Sequence, residues 1–268
     1  MLHVQSIVVN NPAFVEMQVA TLKKFCQEPY TFTIFNDAKW FPDFTNDNDI
    51  QMPLRIRETC ERLGVECVDL PDNRDAGTQD HNASDRHVRS STSVTRHHQD
   101  GKRVLMLDSD MFPVTPFDGR GWKEAAIVEQ RRGDVDYIWP NLYYLDWIRL
   151  RNKEQLKWDI ATIRGHRTDS GGASHHWLHS DHGGSVTSMS WLNSMNWSEA
   201  QYPSHLDPSL LPFLRNDPRN VDGKFFCEIF DGKFLHYRAG SNWERRDPAL
   251  HRQQTAELCK VLTALMQK

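Results

Sequence analysis

The run of residues 104–114, V-L-M-L-D-S-D-M-F-P-V, constrains the fold more than any other stretch of the chain. Its first four residues are apolar, which predicts a strand buried on both faces, and two carboxylates, Asp108 and Asp110, follow directly. Alternate residues of an extended segment point the same way, so both carboxylates can converge on one divalent cation where the strand ends. Oxygen ligands suit Mg²⁺ or Mn²⁺, and either ion keeps positions free for water or substrate phosphates.

Length and charge narrow the classes of protein to which the chain can belong. With 268 residues and 38% hydrophobic content it can bury a full core, and we expect a single domain over residues 1–268. A net charge of −4 argues against a general nucleic-acid binder. The five cysteines are scattered, and no stretch has the pattern of a signal peptide or of a membrane span. We therefore expect a cytoplasmic protein without a transmembrane segment.

Strands and helices alternate along the first part of the sequence. The predicted strands cover residues 2–10, 30–35 and 65–69, and the helices between them begin at Pro12 and Pro53, the second ending at Gly64. Short connections imply right-handed crossovers, so we predict an α/β fold with a central, mostly parallel sheet flanked by helices. Ligands of such sheets bind beyond the carboxyl ends of the strands. Asn10, Asn36 and Asp37 follow the first two strands and are candidate contacts.

A polar helix is predicted just before the acidic pair. Ser84 can cap a helix over residues 85–98, which contains few apolar residues. Arg86 and Arg89 lie at i and i+3 and share a face that could address an anionic ligand, and the alternative is a helix exposed to solvent. The preceding loop, residues 70–84, is either a binding loop or poorly ordered. The sequence leaves open both readings of the helix and both readings of the loop.

Two motifs together resemble a known family. A β-α-β start followed by an apolar strand closing in Asp-Ser-Asp resembles the nucleotide-sugar-binding half of the GT-A-fold glycosyltransferases, with their Asp-x-Asp motif. Residues 234–243, F-L-H-Y-R-A-G-S-N-W, resemble the late H-F-x-G-x-x-K-P-W element of the glycogenin-like and lipopolysaccharide glycosyltransferases, and His236 takes the place of its histidine. Gly240 lies one residue later than in that pattern, and no Lys-Pro precedes Trp243. The basic residue that replaces the lysine stays open among Arg238, Arg245 and Arg246.

The resemblance implies a GT-A (Rossmann-like) fold and a metal-dependent transfer of a hexose-like sugar from a UDP- or GDP-linked donor to a hydroxyl of a glycan or another acceptor. It implies Mn²⁺ or Mg²⁺ held by Asp108, Asp110 and His236. Together with the strand ends and the polar helix, it gives the following predicted donor contacts: Asn10, Asn36, Asp37, Arg86, Asp108, Ser109, Gly240 and Trp243. Residues 1–115 then form the nucleotide-sugar half, residues 116–246 the acceptor half, and residues 247–268 a C-terminal helix.

The acceptor half contributes further candidates. Strands are predicted over residues 135–142 and 158–163, and a short helix over 174–178. By the resemblance, Asp169 contacts the transferred sugar, or deprotonates the acceptor if the enzyme inverts the anomeric centre; the sequence leaves retaining and inverting transfer open. His175 and His179, at i and i+4, offer a competing zinc-like site together with His176 and His182. Trp177 and Trp243 are the candidates for stacking on a sugar ring.

Two other functional classes are compatible with an acidic site on such a sheet. A nucleotidyltransferase that makes sugar nucleotides would require a glycine-rich loop with Lys or Arg after its first strand, and the sequence offers Asn10-Asn11-Pro12 there. A non-catalytic protein that binds nucleotides or sugars would require no cation. Dependence of nucleotide binding on a divalent cation therefore separates the non-catalytic class from the two enzymes, and turnover of a nucleoside triphosphate to pyrophosphate would identify the nucleotidyltransferase.

Overall fold

A computed structural model describes residues 1–46, 48–74, 82–99, 101–180, 186–193, 202–214, 227–238, 240 and 248–268. The strands in chain order are β1 (Leu2–Val8), β2 (Tyr30–Asn36), β3 (Glu66–Asp69), β4 (Arg103–Asp108), β5 (Met111–Pro113), β6 (Ala125–Arg132), β7 (Val135–Asp146), β8 (Thr162–Ile163), β9 (His166–Arg167), β10 (Val186–Ser188), β11 (Trp191–Leu192), β12 (Cys227–Phe230) and β13 (Phe234–Tyr237). The helices are α1 (Pro12–Phe25), α2 (Met52–Leu63), α3 (Ala83–His98), α4 (Ser174–Leu178) and α5 (Pro248–Gln267).

A seven-stranded sheet forms the centre of the fold, in the order β10-β6-β7-β4-β1-β2-β3. β1 pairs in parallel with both β2 and β4, and β2 pairs in parallel with β3. Of the seven strands described, β7 alone runs against the others. The predicted α/β class with a mostly parallel central sheet is confirmed. None of the helices in the described part of the chain is both long and apolar enough to cross a membrane.

The central strand β4 is buried on both faces, as its apolar run predicts. Leu105 and Leu107 belong to one hydrophobic cluster, which includes residues of α1, α2 and α5. Val104 and Met106 belong to a second cluster on the other side of the sheet. Successive side chains of a strand point to opposite faces, so an unbroken apolar run is required where both faces are covered.

Some element boundaries differ from the prediction. The helix predicted from residue 85 begins at Ala83, because Asn82 and not Ser84 is the N-cap. The side chain of Asn82 accepts a hydrogen bond from the backbone N–H of Asp85 at 2.9 Å, which satisfies a donor of the first turn. Gly64 ends α2 as predicted, with a positive φ of 66°. Of the strand predicted over residues 158–163, only the last two residues form one, and Trp158 is a core residue.

Candidate metal centre

The acidic pair lies where the chain leaves one sheet and enters another. β4 ends at Asp108 in the seven-stranded sheet, and β5 begins at Met111 in a four-stranded sheet of order β11-β12-β13-β5. The buried side chain of Gln18, on α1, spans this turn, because its amide donates to the carbonyl of Asp108 at 2.7 Å and to that of Met111 at 3.1 Å. Two hydrogen bonds from helix α1 therefore hold the turn that carries both carboxylates.

The late histidine reaches this turn through the second sheet. His236 lies on β13 and pairs with Met111 of β5, which places its Nε2 atom 3.2 Å from Oδ1 of Asp110. Ligand atoms of Asp108, Asp110 and His236 all lie within 4.8 Å of one another, the sole cluster of this kind among the described residues. Two carboxylates and one imidazole form a donor set that suits Mn²⁺ or Mg²⁺. The residues present therefore fit the cation that the resemblance implies.

The electrostatics of the cluster also indicate a cation site. Burial, and next the charge of Asp110, raise the pKa of Asp108 to about 7, although the amide of Asn141 donates to its carboxylate. Burial alone would lower the pKa of His236, but the carboxylates of Asp110 and Glu228 outweigh it and raise this pKa to about 10. Negative charges crowded into a buried site favour a positive charge between them. A divalent cation would relieve the same repulsion.

Glu228 is a site residue that the sequence analysis missed. It pairs directly with His236 across β12 and β13, and its Oε1 lies 2.6 Å from Nδ1 of the histidine. Its other oxygen accepts a hydrogen bond from the indole N–H of Trp191. A carboxylate that accepts from Nδ1 leaves Nε2 as the ligand atom and fixes the ring. The sequence does contain a signal for this pairing. Asp231-Gly232, with φ of 52° and 61°, is a dipeptide that predicts a hairpin, and this hairpin brings Glu228 beside His236.

Gly240 lies against the acidic pair. A Cβ atom at this position would be 2.8 Å from Cβ of Asp110, closer than side chains approach one another. The absence of a side chain therefore lets the chain pass beside Asp110, one residue later than in the family pattern. Trp243, Arg245 and Arg246 lie outside the described residues, whereas Arg238 is described and lines the cavity.

A cavity of about 680 Å³ extends along the carboxyl ends of the strands beside the cluster. Its wall includes residues at or near the ends of successive strands: Asp37 after β2, Val9 after β1 and Asp108 on β4, then Asn141 on β7 and Glu129 on β6. Four strand spacings of about 4.8 Å give a length of roughly 19 Å. The cavity is long enough for an extended ligand with the acidic pair near its middle.

Asp37 and Arg86 both line the cavity, and they pair with each other. The guanidinium of Arg86 donates from Nε to Asp37 at 2.7 Å and from Nη1 to Asp43 at 2.9 Å. Burial opposes ionisation of Asp37, but Arg86 and Lys39 hold its pKa below the ordinary value, and Ser90 donates to the same carboxylate. The donor contacts assigned to these two residues stay predictions, and the network ties α3 to the loop after β2.

Asn10 and Asn36 are not among the residues that line the cavity, and the donor contacts assigned to them stay predictions. The amide of Asn10 donates to the carbonyl of Thr45 at 2.8 Å, and that of Asn36 donates to the carbonyl of Pro53 at 3.1 Å. Both side chains are buried and neither lines the cavity. Loops that follow parallel strands carry backbone carbonyls in need of donors, and these two amides are used for that purpose.

Of the candidate residues between positions 169 and 182, some line the cavity and others belong to the core. Asp169 lines the cavity, with 39% of its side chain exposed and an oxygen 4.0 Å from Arg132. Trp177 is only 1% exposed and donates to the carbonyl of Arg151, so it is a core residue and not a stacking surface. The rings of His175 and His179 lie 4.3 Å apart, but no third ligand joins them among the described residues. His182 lies outside the described residues.

Three solved structures resemble part of this fold. The mannosyltransferase PcManGT from Pyrobaculum calidifontis, in complex with GDP-Man and Mn²⁺, is 11% identical over 70% of the chain, with a TM-score of 0.43. The glycosyltransferase GlyE of Streptococcus pneumoniae TIGR4 is 14% identical over 69%, with a TM-score of 0.31. The galactosyltransferase LgtC, in complex with donor and acceptor sugar analogs, is 13% identical over 72%, with a TM-score of 0.36. All three are glycosyltransferases.

These likenesses are partial. The chain spans about half the length of the mannosyltransferase, 54%, and it spans 44% of GlyE and 74% of LgtC. No known sequence family and no curated protein matches the chain. Because all three TM-scores are below 0.5, we base the proposed function on the geometry of the site.

Proposed function

We propose that the protein is a metal-dependent glycosyltransferase that moves a hexose-like sugar from a nucleoside-diphosphate sugar to an acceptor hydroxyl. The observation that carries this proposal is the cluster of Asp108, Asp110 and His236 at the carboxyl end of β4, beside a long cavity. The cluster provides ligands for a cation, and the cavity extends to both sides of it. A nucleoside-diphosphate sugar requires a cation at its diphosphate, and it requires room for the nucleoside on one side of the cation and for the sugar on the other.

Each residue of the site has its own role in the proposed reaction. Asp110 and His236 would hold the cation, which when bound would stabilise the negative charge that grows on the diphosphate leaving group. Asp108 is the third metal ligand, and a hydrogen bond from the amide of Asn141 orients its carboxylate. Glu228 holds the imidazole of His236 in place. We assign the nucleoside to the β1–β2 end of the cavity, because ligands of parallel sheets bind there.

Two further residues are proposed to contact the donor. Arg238 is the one candidate for the missing lysine that the structure describes, and it lines the cavity; we propose that it contacts the diphosphate. Asp169, on the cavity wall near Arg132, is proposed to accept a hydrogen bond from a hydroxyl of the transferred sugar. If the reaction inverts the anomeric centre, the same carboxylate takes the proton of the acceptor hydroxyl.

Nucleotide binding is expected to depend on the cation. UDP or GDP should bind measurably by calorimetry in the presence of Mn²⁺, and the heat should disappear when EDTA removes the metal. Mn²⁺-dependent hydrolysis of UDP- and GDP-linked sugars, tested as a panel, then identifies the donor. Nucleotide binding that is unchanged by EDTA would contradict the proposal, and turnover of a nucleoside triphosphate to pyrophosphate would favour a nucleotidyltransferase.

Removing the carboxylate behind His236 is expected to weaken metal binding. Glu228→Leu should raise the Kd for Mn²⁺, measured by electron paramagnetic resonance, by about 10–100-fold. Glu228→Gln, which keeps one oxygen for Nδ1 of His236, should recover part of this loss. Glu154→Gln is the matched control, because Glu154 is exposed on a short 3-10 helix, Lys153–Gln155, outside the cavity. Equal Mn²⁺ affinity in wild type and Glu228→Leu would exclude a positioning role.

A further inference from the structure

We propose that the acceptor is a carbohydrate whose ring stacks on Trp191, at the end of the cavity opposite to the nucleoside. This inference rests on the proposed function and names the class of its second substrate. It differs from the sequence-based expectation, which placed stacking at Trp177 and Trp243: Trp177 is a core residue. Trp191, on the short strand β11, was not singled out by the sequence.

Trp191 presents a flat apolar face at the cavity. Its side chain lines the cavity and the residue is 46% exposed. The indole plane is nearly parallel to the ring of Phe230, with an interplanar angle of 12° and centroids 6.3 Å apart. The residue thus offers exposed apolar area to a ligand at this end of the cavity.

The ring is held in one orientation by a buried acid. The indole N–H donates to Oε2 of Glu228, whose other oxygen contacts His236. A ring that is fixed before a ligand arrives loses little conformational entropy when the ligand binds. The hydrogen bond thus makes Trp191 a preformed surface. Because Glu228 contacts both side chains, it also links this surface to the histidine proposed as a metal ligand.

The position of Trp191 matches the acceptor side of the reaction. Its stacking partner Phe230 contacts the ring of Trp139 at 5.2 Å, and Trp139 lies on β7 and contacts the ring of His236 at 5.1 Å. β7 lies on the other side of β4 from β1 and β2. A molecule on Trp191 therefore approaches the acidic cluster from the side that the nucleoside does not occupy.

The polar groups that line the same cavity favour a sugar ring over other acceptors. Glu129, Gln130 and Arg132, all on β6, line the same cavity and offer planar polar groups. A pyranose has an apolar face of C–H groups and an edge of hydroxyls, so it needs one flat apolar surface and several polar partners. A lipid chain would require a wider apolar surface, and a serine or threonine peptide would require no flat surface at all.

Two substitutions at Trp191 isolate the stacking surface. Trp191→Phe and Trp191→Ala both remove the hydrogen bond to Glu228, so any effect of that loss on the metal cluster is common to both variants. Only the alanine variant also removes the flat face. The probes are methyl glycosides of glucose, galactose, mannose and N-acetylglucosamine, together with lactose, maltose and cellobiose. Their Kd is measured by isothermal titration calorimetry in the presence of Mn²⁺ and the nucleoside diphosphate that binds.

At least one of these saccharides is expected to bind wild type and Trp191→Phe, and to bind Trp191→Ala at least about 10-fold more weakly, which corresponds to the loss of about 1.4 kcal/mol of stacking energy. Equal affinity in the two variants would overturn the proposal. So would the absence of binding by every saccharide, or competition by a dodecyl-chain detergent or a serine peptide in their place.

Failure of this inference and failure of the proposed function give different results. Mn²⁺-dependent binding of the nucleoside diphosphate is measured in the same samples. Nucleotide binding without saccharide binding overturns the carbohydrate acceptor and leaves the metal site intact. Saccharide binding through Trp191 without nucleotide binding overturns the glycosyltransferase and, with it, the acceptor role of the bound sugar.

Discussion

Asp110→Asn is expected to lower the rate of sugar transfer by about 1,000-fold or more while the protein stays folded. The change removes one negative charge from the cation site and keeps the size of the side chain. Size matters here because Gly240 passes so close to Asp110 that a larger residue would displace the chain. An effect on the rate with no effect on folding would therefore report the lost ligand and not a disturbed backbone.

The measurement is Mn²⁺-dependent hydrolysis or transfer of the donor identified by the panel, with circular dichroism and a melting curve to establish folding. Asp134→Asn is the matched control, since Asp134 is largely exposed and pairs with Arg164 at the surface. Its rate should be unchanged. An Asp110→Asn enzyme with the wild-type rate would remove the metal cluster from the mechanism.

Arg86→Met is expected to lower the free energy of unfolding by about 3–5 kcal/mol, because it removes the guanidinium that two buried carboxylates share. Those carboxylates belong to Asp37 and Asp43, and all three side chains are nearly inaccessible to solvent. The corresponding fall in Tm is roughly 6–20 °C. Arg96→Met, the same change at an exposed position of the same helix, should leave the Tm within the range of ordinary surface substitutions.

The difference between wild type and Arg86→Met is also expected to depend on pH. In the wild type the pKa of Asp37 lies below 3.8, so the ion pair stabilises the fold above that pH and its contribution is lost as the pH falls. Of Arg86 and Lys39, Asp37 keeps only Lys39 in the variant, at 3.5 Å, so its buried charge is less well compensated and protonation relieves the cost. The gap in Tm should therefore narrow toward acid pH. A gap that is constant with pH, or no gap at all, would show that the ion pair does not support the fold.

The parts of the fold that follow from local pattern were predictable from the sequence. The apolar run of β4 required burial on both faces, and the structure provides a hydrophobic cluster on each side. The alternation of strands and helices fixed the parallel order of β1, β2 and β3, because short crossovers leave few other arrangements. The predicted meeting of His236 with Asp110 is also observed, at 3.2 Å, although that prediction came from a resemblance and not from periodicity.

The contributions of distant segments were not predictable in the same way. Glu228 reaches His236 through the pairing of β12 with β13, and Trp191 reaches Glu228 through the pairing of β11 with β12. Strands this short carry no periodicity that specifies their partners. Asn10 and Asn36 were predicted as ligand contacts from their place at strand ends, and the hydrogen bonds of their amides to the carbonyls of Thr45 and Pro53 could not be predicted from that position.

The most direct test of the metal centre is an anomalous-difference map, at the manganese absorption edge, from crystals grown with MnCl₂ and UDP or GDP. We expect one strong peak within bonding distance of Asp108, Asp110 and Nε2 of His236, with diphosphate oxygens on the remaining positions of the ion. A strong peak elsewhere, or a nucleotide bound with no metal at this cluster, would contradict it.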